Sequence, residues 1–227
     1  MKKMLGAGLV FLVLAVVLVG TVYAGIFSDS WRYKMTVVVE TPEGLKTGSA
    51  VREVTVKKGL ALTPQMLPDI EVKGEAVVVD LGKRGVLFAL MRGGMHGQDY
   101  GSDILFDAFP EKKKIGKVTL TPQQYPMFAR FRDLNDPKTV EIISQINDRE
   151  MPDGYGGMSK TSEEVFGSGV KLKDVTIEIT NDSITSGIEK QLPWLATIYG
   201  YISGKNVSMG NKPYEWLDTG DFQKGVR

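Results

Sequence analysis

His96 is the only histidine in the chain, and Asp99, Asp103 and Asp107 follow it at spacings that would line one face of a helix. An imidazole grouped with carboxylates in this way is a candidate site for a divalent or transition metal. Gly93, Gly94, Gly97 and Gly101 fall in the same stretch and oppose a helix where the site would need one. The competing reading is a surface loop, and the expectation is no metal, with His96, Asp99, Asp103 and Asp107 as the candidate ligands if there is one.

Other chemistries are poorly served. There is no cysteine, which excludes a thiol nucleophile, a disulfide and a lipidated cysteine. No G-x-S-x-G is present, and Ser168, between Gly167 and Gly169, sits at a helix stop. Any Ser–His pair must use His96. The glycine-rich loop contains neither G-x-G-x-x-G nor a P-loop pattern, so no cofactor is expected. Asp133-Leu134-Asn135-Asp136 opens like a calcium loop, but Pro137 and Lys138 take its fifth and sixth places and Ser144 its twelfth. An Asx turn is the better reading. Glu40, Glu43 and Glu53 are carboxylates of the type a glycosidase pairs with a second acid, although such groups are ordinarily solvated surface residues. Asn181-Asp182-Ser183 and Asn206-Val207-Ser208 match the glycosylation pattern, which matters only on a eukaryotic secretory route. The catalytic residues are therefore unknown, and the chain leans away from an enzyme.

The elements that would position any of these residues read as short strands. Arg32–Glu40 alternates, with Tyr33, Met35, Val37 and Val39 on one face. A Thr41–Gly44 turn returns the chain to Ala50–Lys57, whose imperfect alternation suggests a bulge. The two form a hairpin. Lys58–Pro68 is a loop. Ala76–Leu81 and Val86–Met91 form a second hairpin across Gly82–Gly85, and the apolar run of Val86–Met91 implies a strand buried on both faces. Arg92–Gly101 is a glycine-rich loop. Ser102 caps a short helix that ends at Pro110.

Further strands are expected at Lys117–Leu120 and Met127–Arg132. Thr139–Ile143 reads as a strand, or as a short helix capped by Asp136 with Pro137 in first position. Asn147–Ser159 is the place for a linker, if there is one. Thr161 caps a helix that stops at Gly167. Val170–Thr180 is the clearest strand, and Ser186–Leu192 is a short helix ended by Pro193. Trp194–Ile202 packs on the core, and residues past Leu217 form a flexible tail. The fold class is β-rich α+β, mainly antiparallel and sandwich-like, with short helices and no repeats.

Composition bounds the partners. Lys and Arg number 28 against 27 Asp and Glu, so the basic excess that nucleic-acid binding needs is missing. The charged share of 24% is that of an ordinary folded domain. Gly is frequent, with 26 residues, and it falls between apolar runs, as in a protein of many turns.

Met4–Phe27 contains no charged residue, is preceded by Lys2 and Lys3, and is long enough to cross a hydrocarbon core of roughly 30 Å as a helix. Two readings stand. In one the segment stays as an anchor, with Tyr23, Phe27 and Trp31 at the far interface. In the other it is a signal cleaved after Ala24, at the end of Val22-Tyr23-Ala24. The anchor is favoured on length. Either way, Lys2 and Lys3 keep the start of the chain inside and send the rest across. The organisation expected is residues 1–30 as anchor or uncleaved signal, 31–217 as an exported domain with a possible boundary near 147–159, and 218–227 as the tail.

The run Trp31–Val37 through Glu40-Thr41-Pro42-Glu43-Gly44, then Thr47-Gly48-Ser49 and Val51-Arg52-Glu53-Val54, resembles the opening of a group of uncharacterised bacterial proteins with an N-terminal hydrophobic segment. Phe131, Pro137, Thr139 and Val140, then Phe166-Gly167-x-Gly169-Val170-x-Leu172 and Gly187-Ile188-Glu189-Lys190-x-Leu192-Pro193-Trp194-Leu195, are similar to the same group. The resemblance covers most of the exported part and implies a bacterial envelope protein, with no activity and no catalytic residue to carry over.

The expectation is a single-pass protein of the bacterial inner membrane with its domain in the periplasm, acting as a non-enzymatic module that binds or scaffolds an envelope protein. An envelope hydrolase using carboxylates, or a metal near His96, is the alternative. An accessory subunit of a secretion or transport machine is a third reading.

Overall fold

A computed structural model describes residues 28–57, 69–93, 97–111, 115–144, 159–203 and 213–225. Residues 4–27, the Lys58–Pro68 loop, His96 and residues 147–158 lie outside them. Among the described residues no helix is long and apolar enough to cross a membrane. The chain divides into two units, residues 1–30 with 55–71, and residues 31–54 with 72–227. Both flanks of residues 147–158 belong to the second unit.

The described residues form mainly antiparallel β-sheet with a few short helices. Strand β1 (Ser28–Thr41) alternates as its sequence demands: Trp31, Tyr33, Met35, Val37 and Val39 are buried, and the residues between them are half-buried. Gly44 has φ 112°, a backbone that L side chains avoid, and it closes the turn into β2 (Gly44–Lys57). Thr41 Oγ1 donates to the Gly44 carbonyl at 2.7 Å across that turn.

With β3 (Asp69–Glu75), β6 (Lys117–Thr119), β10 (Lys171–Ile179) and β11 (Gln223–Lys224), these strands make a six-stranded sheet in the order β11-β3-β2-β1-β10-β6. Against β10, Tyr33 faces Ile179, Met35 faces Ile177 and Val37 faces Val175, so one apolar face runs across both strands. The register shifts between Val38 and Val39.

A second sheet of five strands has the order β4-β5-β7-β8-β9. Its members are β4 (Val77–Asp80), β5 (Val86–Gly93), β7 (Pro126–Phe131), β8 (Val140–Ser144) and β9 (Ser159–Thr161), and only β8 with β9 is parallel. The expected hairpin of β4 and β5 is present, and Leu87–Gly93 is buried throughout. The strand expected over Ala76–Leu81 is present as β4 from Val77 to Asp80, and the Ala76 N–H donates to the Phe222 carbonyl at 2.8 Å, next to the pairing of Glu75 with Gln223. The chain changes sheet at Ala76.

Two expectations about capping are refined. Helix α1 (Tyr100–Ala108) starts two residues earlier than Ser102, with Asp99 at its N-cap; Ser102 lies inside and donates its Oγ to the Asp99 carbonyl. Around Pro137 both rival readings hold in succession. Asp136 accepts from the Lys138 N–H and caps a 3-10 turn at Pro137–Thr139, and β8 follows at once. Helix α2 (Ser162–Phe166) has the expected Thr161 cap, completed by Glu164 as a capping box.

The flexible tail needs correction over Asp218–Gly225. A 3-10 turn at Thr219–Asp221 leads into β11, and Asp221, Phe222 and Gln223 are buried. Phe222 sits in the core of the second sheet against Phe88, Phe131 and Trp194, with centroid separations of 6.4, 5.6 and 5.5 Å. Phe88 and Phe131 also meet edge-on at 5.6 Å. Trp194, Leu195 and Ile202 join this core as expected, whereas Tyr199 is 76% exposed. A short helix α3 (Pro213–Trp216) precedes the turn.

Candidate functional site

A network of charged and hydrogen-bonding side chains lies where the C-terminal turn meets the end of β5. Arg92, on the last turn-ward residues of β5, donates Nε to Asp221 Oδ1 at 2.8 Å. The two residues are 129 apart in sequence, and their side chains are 10% and 1% exposed. The other carboxylate oxygen of Asp221 accepts the Asp218 N–H at 2.9 Å. Asp218 in turn accepts from the Gly220 N–H at 2.6 Å on one oxygen and from Gln98 Nε2 at 2.6 Å on the other. Lys224 Nζ closes the circuit on the Gln98 carbonyl at 2.7 Å. The Arg92 guanidinium also lies over the Trp216 ring, 5.7 Å from its centroid.

The local sequence accounts for this geometry. Asp218-Thr-Gly-Asp221 is a reciprocal cap in which each carboxylate accepts a backbone N–H of the same turn. Gly93 and Gly97 exchange two backbone hydrogen bonds, of 3.0 and 2.8 Å, which closes the glycine-rich loop and presents Gln98 to Asp218. A side chain at Gly93 would collide with the Tyr100 ring.

Burial pushes the Asp221 carboxyl up from its ordinary 3.8 to about 6; Arg92 pulls it down, and the adjacent Asp218 carboxylate adds to the rise. A value in that range suits general acid–base work. Both oxygens of Asp221, however, are occupied by Arg92 and the Asp218 amide, and the side chain is shut away from solvent. What this arrangement can do is fasten the C-terminal segment to the β5–α1 connection.

A second buried cation lies between the sheets. Arg52 is fully buried and donates Nε to the Glu75 carbonyl at 3.0 Å and Nη2 to the Ala89 and Leu90 carbonyls at 3.3 Å each. Its Nη1 makes no hydrogen bond among the described residues. Tyr33 and Tyr100 are buried beside it; burial raises both hydroxyls, and the Arg52 charge partly opposes this. Tyr33 Oη donates to the Gly101 carbonyl and Tyr100 Oη to the Gln124 carbonyl, each at 2.8 Å. Glu75, also buried, accepts the Gly187 N–H at 2.7 Å and the Ile188 N–H at 3.1 Å. Burial raises its carboxyl against the pull of those two amides.

Among the described residues the sequence candidates do not gather. His96 lies outside the described residues. Asp99 is an exposed helix cap, Asp103 is half-buried and accepts from Ser102, and Asp107 is exposed on α1. Among the described residues no three His, Cys, Asp or Glu side chains are grouped as a metal ion requires. Glu43 pairs with Arg84 through two hydrogen bonds of 2.8 and 2.9 Å, and Arg84 holds its carboxyl down at about 2. Glu53 pairs with Arg32 at 2.7 Å. Asp133 and Asp136 accept N–H groups two residues on, as Asx turns do. Ser168 is an exposed turn residue.

Sequence reasoning missed Arg52 and the Arg92–Asp221 pair. A signal existed for Arg52, because it shares the phase of Ala50, Val54 and Val56 on β2, all of which are buried. Asp221 stands three residues after Asp218, at capping-box spacing. No family model, no curated protein and no solved structure matches the chain.

Proposed function

We propose that the protein is a membrane-tethered bacterial envelope protein whose β domain, sandwich-like in its layering, is a non-enzymatic module that binds or scaffolds an envelope partner. Residues 4–27 form the transmembrane anchor in this reading. They carry no charge, Lys2 and Lys3 precede them, and β1 begins immediately after, at Ser28. The sandwich reading is supported by the approach of β2 to the second sheet. Arg52 reaches the carbonyls of β5, and a side chain at Gly48 would collide with the Val78 carbonyl of β4.

The observation that carries the module reading is how the charged side chains are employed. Asp221, Glu75, Glu43, Glu53 and Glu141 each hold a backbone amide or a cationic partner from another part of the fold. Arg130, Glu141 and Lys160 likewise tie β7, β8 and β9 together, at 2.8 and 2.7 Å. Chemistry devoted to internal contacts suits a surface-recognition protein better than a hydrolase.

Fractionation tests the tether. The full-length chain is expected in the membrane pellet after alkaline extraction, and a chain lacking residues 4–27 in the soluble fraction. Recovery of the full-length product in the cytosol would overturn the reading, and a mature N-terminus at Gly25 would establish cleavage in place of an anchor. Crosslinking in intact cells followed by mass spectrometry would identify the partner.

A further inference from the structure

Among the described residues the most exposed large apolar side chain is Ile115, at 86%. It stands on the connection between α1 and β6, and two contacts hold that connection in place. The Ile179 N–H of β10 donates to the Gly116 carbonyl at 2.9 Å, and a side chain at Gly116 would collide with the buried Phe109 ring. Ile115 is therefore turned outward by a hydrogen-bonded, closely packed backbone. The same connection is basic. Residues 111–117 read Glu-Lys-Lys-Lys-Ile-Gly-Lys, four lysines against one glutamate. Lys117 is exposed, and its contact with the exposed Glu178 is long, at 3.8 Å. An apolar side chain gains nothing from exposure to water. Beside several lysines it has the chemistry of a membrane-surface contact, with apolar atoms for the acyl boundary and ammonium groups for the lipid phosphates.

The strand register puts this tip at the end of the sheet where β1 begins. Tyr33 faces Ile179, Glu178 faces Lys117, and the Thr180 N–H donates to the Arg32 carbonyl at 3.0 Å. Gly116 thus lies level with Tyr33, two strand spacings or about 10 Å across the sheet. At the same end Trp31 meets Phe106 of α1 edge-on at 6.1 Å. We propose that this end of the sheet, with Ile115 and Lys117 at its tip, is a second membrane contact, which docks on the anionic lipid headgroups around the chain's own anchor. The inference rests on residues 4–27 being that anchor. Trp31 stands four residues past Phe27, so at most about 14 Å of chain separates them. The end of the sheet that carries Trp31 stays within reach of the headgroups. Thr41, at the opposite end of β1, is about 30 Å beyond Arg32 at the rise of a strand. Docking turns the Gly44 end of the hairpin away from the lipid.

The chain has no cysteine, so Ile115→Cys and Leu45→Cys, both at exposed positions, each give a single site for a fluorescent label. The full-length variants are reconstituted into vesicles of phosphatidylcholine alone or of phosphatidylcholine with phosphatidylglycerol. Quenching by a headgroup-attached nitroxide lipid is then read. In the anionic vesicles the label at 115 should be quenched and the label at 45 should not. The docked-to-lifted ratio at 115 should fall at least about tenfold in the neutral vesicles, and Lys117→Gln should lower it about fivefold in the anionic ones, the factor one lysine contributes near an anionic surface. Equal quenching at the two positions, quenching at 115 that ignores lipid charge, or an unchanged ratio in K117Q would each overturn the contact. The anchor reading would survive those results, because the chain would still float with the vesicles. A chain that fails to float with them would overturn the anchor and the contact together.

Discussion

Arg52 and Arg92 are both buried arginines, and the protein accommodates their charges differently. Arg52 is surrounded by backbone carbonyls from β3 and β5 and by two buried tyrosines. Arg92 faces a carboxylate and an indole ring. Carbonyl dipoles do not titrate, and burial raises both tyrosine hydroxyls above their ordinary value, so the Arg52 arrangement keeps one charge state through neutral pH. The Arg92 arrangement contains Asp221, a group that changes charge within an accessible pH range. The first is a fixed brace between sheets, whereas the second fastens a chain segment through a titratable group.

The comparison is broken most severely by truncating either cation's surroundings. Arg52→Ala should destabilise the chain by about 3–5 kcal/mol, because it opens a cavity and strips three carbonyls of a charged donor. Arg52→Met, which refills the volume, should recover about half of that loss. Denaturant unfolding of the full-length chain in micelles measures both.

Asp221→Ala comes next, at about 3 kcal/mol near pH 7.5, since it leaves Arg92 buried and unpaired. Glu75→Gln should cost about 1–2 kcal/mol, because a neutral amide is a weaker acceptor for the Gly187 and Ile188 amides.

The pH profile sharpens the contrast. Asp221 has its folded value raised from 3.8 to about 6, so the increment of stability supplied by its bound proton is fully present below about pH 4 and is lost as pH rises through 6, while the pairing of the ionised carboxylate with Arg92 remains. Over that interval the increment amounts to about 3 kcal/mol. Glu43 runs the other way. Held down at about 2 by Arg84, it contributes above its ordinary 4.5, and that contribution disappears as the pH falls toward 2. Glu43 is exposed, so Glu43→Gln should give the smallest change of the series, visible only as a slight flattening of the acid limb.

Much of the fold was legible because its signals are local. The phase of Tyr33, Met35, Val37 and Val39, the apolar run of β5, the Thr161 cap and the Gly44 turn are each contained within a few residues. The C-terminal turn was not legible. Its glycines and polar residues read as a frayed end, yet Trp216, Leu217 and Phe222 supply an apolar face whose partners lie on strands far earlier in the chain. The Arg92–Asp221 pair is invisible for the same reason, since nothing near Arg92 announces a carboxylate 129 residues away. The metal reading grouped His96 with Asp99, Asp103 and Asp107 on helical spacing, and His96 lies outside the described residues. The helix is present from Tyr100, but Asp99 is its cap and no third ligand is grouped with Asp103 and Asp107 among the described residues.

The account depends most on charged side chains serving to fasten distant segments, and a double-mutant cycle on Arg92 and Asp221 tests that directly. Unfolding free energies of the wild-type chain, R92A, D221A and the double variant near pH 7.5 should give a coupling of at least about 1.5 kcal/mol, because each partner relieves the burial of the other. Losses that simply add, within about 0.5 kcal/mol, would mean that the two side chains are neighbours without a shared task, and would contradict the account.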